Sequence, residues 1–221
     1  MWCVPKVNKQ FKERMEDVLN LYQKPYNPIE PVICVDEKSK QLLQDARKPL
    51  RAKAGKLKRA DYEYRRNGTR NIFLSVEPKA GQRQLKVTRY RKKPDFAQFI
   101  KELSENHYAN AEKIHIVLDN LNTHFEKSFY ETFPEMEASC ILKRIKFHYT
   151  PKHASWLNMA EIELSIAGRQ CLNRRIPAEE KLKQEIGYWQ NCRNDEKLTI
   201  QWKFTVKDAR KKFKYNHSRQ N

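Results

Sequence analysis

The chain has 221 residues, enough to bury one core of ordinary domain size, and its 45 Lys and Arg outweigh 27 Asp and Glu to give +18. That imbalance favours a polyanionic partner. Five cysteines without a CxxC pair or a Cys/His cluster argue against a disulfide framework or a zinc site, and the absence of a long apolar run argues against a membrane span or secretory signal.

The charge is concentrated. Residues 38–59 carry nine basic groups against one acidic, residues 83–93 six against none, and residues 203–219 seven against one. The pattern suggests basic arms around a nearly neutral body, while the cysteine usage fits a reducing cytosol. Cys34, Cys140 and Cys171 sit among apolar neighbours and are expected in the core.

Phe11, Met15, Val18 and Tyr22 recur at helical spacing, so an amphipathic helix is predicted over 8–22, closed by the Pro25 and Pro28 region. Val32-Ile33-Cys34-Val35 is a short apolar run ending in Asp36, predicted as a buried strand with a carboxylate at its end. The basic segment 38–68 reads as an extended or loop insertion. Residues 71–76 and 84–88 read as two strands joined by the turn-rich EPKAG, hence a hairpin. Pro94 opens a helix with Phe96, Phe99, Ile100 and Leu103 on one face. Ile114–Leu118 is a second apolar run, again ending in an aspartate, Asp119. A weak helix at 125–131, a strand at 145–149, a helix at 158–173, a further helix from Pro177 to about 192 and a basic tail complete the chain. This order predicts an α/β fold: an antiparallel three-strand meander followed by a βαβα unit, a mixed sheet flanked by helices.

In such a sheet the strands ending in Asp36 and Asp119 can lie side by side, bringing both carboxylates to one edge. Neighbouring carboxylates repel, and a hard divalent cation relieves the conflict. Along the 158–173 helix, Leu157, Glu161, Leu164, Gly168 and Cys171 form one stripe that is apolar or small except for Glu161. Glu163 falls on a more mixed stripe and is expected to be more exposed. Local physics offers its own account of Glu161: Asn158-x-x-Glu161 fits a capping box, with Leu157 and Ile162 as the hydrophobic staple.

Three motifs coincide: Val35-Asp36-Glu37-Lys38, Leu118-Asp119-Asn120-Leu121-Asn122-Thr123-His124, and Tyr149-Thr150-Pro151-Lys152-His153-Ala154-Ser155-Trp156-Leu157-Asn158-Met159-Ala160-Glu161. Together they resemble the DDE transposases of the mariner superfamily, in its bacterial insertion-sequence branch. The resemblance extends from about Trp2 to Lys214, through DYEYRRNGTRNIFL and RQCLNRRIP. It implies a ribonuclease-H-like catalytic fold over 31–195, after an N-terminal helix and linker (1–30) and before a basic tail (196–221). It carries the two family aspartates onto Asp36 and Asp119. The family's Leu-Asn-x-x-Glu pattern selects Glu161 over Glu163.

The resemblance further implies that these three bind two Mg²⁺ or Mn²⁺ ions for strand cleavage and strand transfer on DNA. The stretch between Asp119 and Glu161 is longer than in the animal members, implying an insertion near 132–143. Lys38, Lys40, Arg51, Lys53, Lys56, Lys58, Arg59, Arg89, Arg91, Lys92, Lys93 and Lys152 are expected to hold DNA phosphates. Asn122, His124, His153, Trp156 and Asn158 belong to the motifs beside the site, the histidines expected in supporting hydrogen bonds and Trp156 in core packing. Family members usually carry a helix-turn-helix module before the catalytic domain, whereas here WCVP follows Met1 at once. Either a separate chain supplies end recognition or the element is truncated, and a homodimer is expected on DNA. A bacterial cytoplasmic, nucleoid-associated protein is expected. Two other readings stand beside this one: an inactive or regulatory DNA-binding remnant of a transposase, and a ribonuclease-H-like nuclease of repair or RNA removal.

Overall fold

A computed structural model describes residues 7–57, 59 and 61–215. Helix α1 (Lys9–Gln23) is capped by Asn8, whose side chain accepts from the Phe11 amide at 2.8 Å, and buries the predicted Phe11, Met15, Val18 and Tyr22 face. Five strands follow: β1 (Val32–Asp45), β2 (Tyr64–Glu77), β3 (Gln82–Thr88), β4 (Ile114–Leu118) and β5 (Ile145–Tyr149). They form one sheet in the order β3-β2-β1-β4-β5. β1, β2 and β3 pair antiparallel, while β4 pairs in parallel with both β1 and β5. The mixed sheet is the one predicted.

Strand alternation divides the core. Ile33 and Val35 join Phe96, Phe99, Ile100 and Phe129 on one side, where α2 (Lys93–Glu102), α3 (Lys127–Tyr130) and α4 (Glu135–Lys143) pack. Cys34 and Leu42 join Met15, Leu157, Leu164 and Trp189 on the other, with α1, α5 (Met159–Ala167) and α6 (Glu179–Asp195). The β2–β3 turn depends on Gly81: its φ is +69°, and a Cβ there would meet the Lys197 carbonyl at 2.5 Å.

Several expectations are corrected. β1 does not stop at Asp36 but runs on to Asp45, pairing with the start of β2, so much of the predicted loop 38–68 is a two-stranded ribbon. Among the described residues, only its tip, 46–57, 59 and 61–63, is irregular, pinned by isolated bridges at Leu50–Arg59 and Lys53–Lys56. Helix α4 occupies most of the region 132–143, where no element is predicted. Cys140 is exposed, because α4 turns Ala138 and Ile141 inward instead. The stretch after 196 is not a free tail as far as Tyr215. α7 (Val206–Phe213) packs on α1, with the Phe11 and Phe213 rings 5.8 Å apart, and Trp202 meets Tyr22 at 5.4 Å. Among the described residues no helix is long and apolar enough to cross a membrane.

Candidate active site

β1 pairs with β4 through Cys34 and Val117, and the same register carried two residues further sets Asp36 level with Asp119. The two aspartates thus stand side by side where the parallel strands end, as expected. Alternation along β1 then sends Asp36 and Lys38 toward α5, and Glu37 toward α2.

Helix α5 starts where predicted, but for a different combination of reasons. The Asn158 side chain accepts from the Ala160 amide at 3.1 Å, while its Nδ2 donates to the Val35 carbonyl at 2.8 Å. One asparagine therefore caps α5 and ties it to β1 just before Asp36. The reciprocal half of a capping box is missing, since the Asn158 amide donates to Ser155 O at 2.7 Å. Ile162, expected to clasp Leu157, is exposed. Glu161 is thereby left half-buried on a groove of about 640 Å³ shared with Glu37, Lys38, Lys40 and Arg169. Glu163, expected to be exposed, is fully buried between Arg83 and Arg193.

Electrostatics link the three carboxylates. Burial pushes the Asp36 carboxyl up to about 7, and the charges of Glu37, Asp119 and Glu161 add to the rise, against the opposing Glu37 amide. Burial would also raise Asp119, but a 2.7 Å bond from His124 Nδ1 and the Leu121 amide hold it below the ordinary carboxylate value. His124 is the hub on the α2 side. Its ring is buried against Phe96, and Glu37 Oε2 lies 3.2 Å from Nε2, within ion-pair distance.

Burial alone would lower the His124 pKa, yet Asp119 and Glu37 together push it up to about 9. A folded-state value raised above 6.5 contributes stability that is complete below about 6.5 and lost as pH rises through about 9. In EDTA, the melting temperature of the protein should therefore fall across that window, and His124→Gln should flatten the fall. Scanning calorimetry over pH checks this, and a flat wild-type profile contradicts it.

Among the described residues, no three His, Cys, Asp or Glu side chains are drawn close enough together to hold a metal ion as they stand. The donors still suit a hard divalent cation. They are carboxylate oxygens, Asp36 is held in a like-charged surround that a cation relieves, and Asp119 and Glu161 both reach solvent.

The basic residues sort into groups. Lys38 flanks Glu161, its Nζ 3.2 Å from where a Cβ on Gly168 would stand. Lys40 donates to the Leu172 and Arg174 carbonyls, closing the π-turn Gly168–Leu172 after α5, and is a structural cation. Arg51, Lys53, Lys56 and Arg59 are exposed on the ribbon tip, while Lys58 lies outside the described residues. Arg89 and Lys92 cover the Tyr90 ring, Arg91 lies 3.9 Å from Glu37, and Lys93 pairs with Glu131 at 2.7 Å. Lys152, His153 and Asn122 are exposed, and His153 adopts φ 64°.

Sequence reasoning passed over Glu37 as a functional neighbour, although it directly follows Asp36. It also missed Arg14, which bonds Asn120 beside Asp119. A pocket of about 170 Å³ at the opposite ends of the strands contains none of the three carboxylates.

The model of the DDE superfamily endonucleases matches residues 31–183, which span all three carboxylates. The chain belongs to that family. Its ribonuclease-H-like fold is shared with solved structures of the Mos1 mariner transposase. The Mos1 paired end complex with Mn is 15% identical over 90% of this chain, with a TM-score of 0.56. The Mos1 strand transfer complex is 14% identical with a TM-score of 0.56, and the Mos1 paired end complex with Mg is 14% identical with a TM-score of 0.54. This chain spans about 60% of the length of those Mos1 chains. No curated protein sequence matches it.

Proposed function

We propose that this chain is the catalytic part of a transposase, cutting DNA at an element end and joining the freed 3′-hydroxyl to target DNA. The observation that carries the proposal is the level placement of Asp36 and Asp119 on adjacent parallel strands, with Glu161 acting electrostatically on Asp36 from α5. Asp36, Asp119 and Glu161 are the residues that would hold Mg²⁺ or Mn²⁺, two ions in our reading. When bound, the metal supplies Lewis-acid stabilisation of the attacking and leaving oxygens of an in-line displacement.

The chain's own groups do the rest. His124 keeps Asp119 ionised and fixed in orientation, its Nδ1 and the Leu121 amide both bonding the same carboxylate oxygen. Glu37 holds His124 from behind, and Asn158 locks the start of α5 to β1. Lys38 and Arg169 line the groove beside Glu161 and fit a phosphate backbone, as do the cations of the ribbon tip. The Mos1 structures are of a transposase on paired ends and of a strand transfer complex; for this chain, a homodimer on DNA belongs to the same proposal.

The test is nicking of a supercoiled plasmid, and strand transfer of a pre-cut oligonucleotide, with Mg²⁺ or Mn²⁺. Wild type is expected to be active only with metal, and Asp36→Asn inactive while retaining salt-sensitive DNA binding. Wild type that binds DNA but never cuts it would instead support a regulatory remnant.

A further inference from the structure

Trp156 was expected in the core, and the structure places it outside. It is 40% exposed at the apex of the 3₁₀ turn Ser155–Leu157. The turn is held rigidly on both sides. The Leu157 carbonyl accepts from the Tyr22 hydroxyl at 2.7 Å, and Asn158 is tied to Val35.

The indole stacks on Trp202 with ring centroids 6.3 Å apart and planes 16° from parallel, and it meets Phe204 edge-on at 5.6 Å. Trp202 is itself fixed, its Nε1 donating to Phe204 O at 2.8 Å. Among the described residues nothing accepts from the Trp156 indole N–H. Exposed cations surround the chain segments that build this stack: Lys152 just before the turn, Lys203 between Trp202 and Phe204, and Lys212 over the Phe204 ring at 5.8 Å. The next residues in the chain lead through Asn158 to Glu161, so the aromatic platform directly precedes the proposed metal-binding helix.

A large ring held immobile with open surface, bordered by positive charge, is the arrangement by which proteins take single-stranded nucleic acid: bases stack on the ring while phosphates pair with the cations. Bases within a duplex are already stacked on one another and do not offer a free face. We propose that Trp156 is a stacking platform for one unpaired base of the DNA strand entering the carboxylate site, with Lys152, Lys203 and Lys212 meeting the flanking phosphates. The proposal rests on DNA being the partner, as inferred above.

Binding is measured in EDTA, so that cutting plays no part, using a dye-labelled single strand and a blunt duplex of the same sequence. Trp156→Ala should weaken single-strand binding about fivefold to a hundredfold, change duplex binding less than about twofold, and be largely rescued by Trp156→Phe. A duplex carrying 2-aminopurine at one unpaired position gives a second readout. Its fluorescence should be quenched by wild type and by Trp156→Phe, and not by Trp156→Ala. Equal single-strand binding by wild type and Trp156→Ala would overturn the platform, as would equal losses on single strand and duplex or identical quenching. Wild type that shows these base responses yet never nicks DNA would defeat the transposase reading alone, and wild type that nicks without them would defeat the platform alone.

Discussion

Glu161→Gln is expected to cut the rate of metal-dependent nicking by at least about a thousandfold while leaving the melting temperature within a degree or two of wild type. The magnitude follows from losing one anionic ligand where metal stabilisation of the transition state is worth several kcal/mol, each 1.36 kcal/mol being tenfold in rate. The expected indifference of stability follows from the surroundings of the side chain. Glu161 is half-buried on the groove, and among the described residues its carboxylate makes no hydrogen bond or ion pair. The amide is nearly isosteric, so packing is retained and only charge is lost. Because Glu161 is one of the charges raising Asp36, the variant should also lower the Asp36 value from about 7, which NMR of the metal-free protein would register. Single-turnover nicking beside calorimetry checks both halves. A Glu161→Gln protein that still cuts, with metal, at near wild-type rate would remove Glu161 from the site.

The two aspartates were legible because each follows a continuous apolar run, which in a parallel pair buried on both faces is the expected pattern, and their neighbours then fix the register. The length of β1 was not legible. Beyond Glu37 the strand leaves the core as a ribbon, only Leu42 is buried, and a strand with both faces wet carries no alternation to read. Helix α4 escaped for a related reason: it buries only Ala138 and Ile141. The packed C-terminal stretch did leave a signal that the lysines masked, since Trp202, Phe204, Phe213 and Tyr215 are too aromatic for a solvated tail. Glu163 was misplaced by periodicity itself. The 3.6-residue period ranks faces by apolarity, and it cannot see that arginines 80 and 30 residues away convert a buried position into a site for a carboxylate.

That carboxylate carries the second large effect. Glu163 and Arg83 are both fully buried, paired at 2.8 Å, and Arg193 approaches the same carboxylate at 2.9 Å. Arg83 also donates to the Gly81 and Leu198 carbonyls, while Asn194 brackets its backbone, so one cluster joins β3, α5, α6 and the chain beyond 196. Burial would raise the Glu163 value, but the two guanidiniums hold it below the ordinary range. Its contribution to stability is therefore present above the unfolded carboxylate pKa and lost as pH falls through the lower folded value.

Removing one partner leaves a buried charge without compensation, so Glu163→Ala should cost about 3–5 kcal/mol, a drop on the order of 10 °C in melting temperature for a chain of this length. Arg83→Met should cost a similar amount. The double variant Arg83→Met/Glu163→Leu should cost much less than their sum, because no charge is then stranded between them except the partly solvated Arg193. Additive losses in that cycle would mean the pair contributes packing alone. Residues two apart on a helix point about 200° away from each other, so the anchor at Glu163 on the β3 and α6 side sets the rotation that turns Glu161 toward Asp36. Glu163→Ala protein held below its lowered melting temperature should consequently nick more slowly than wild type, with activity returning in the double variant in proportion to its regained stability.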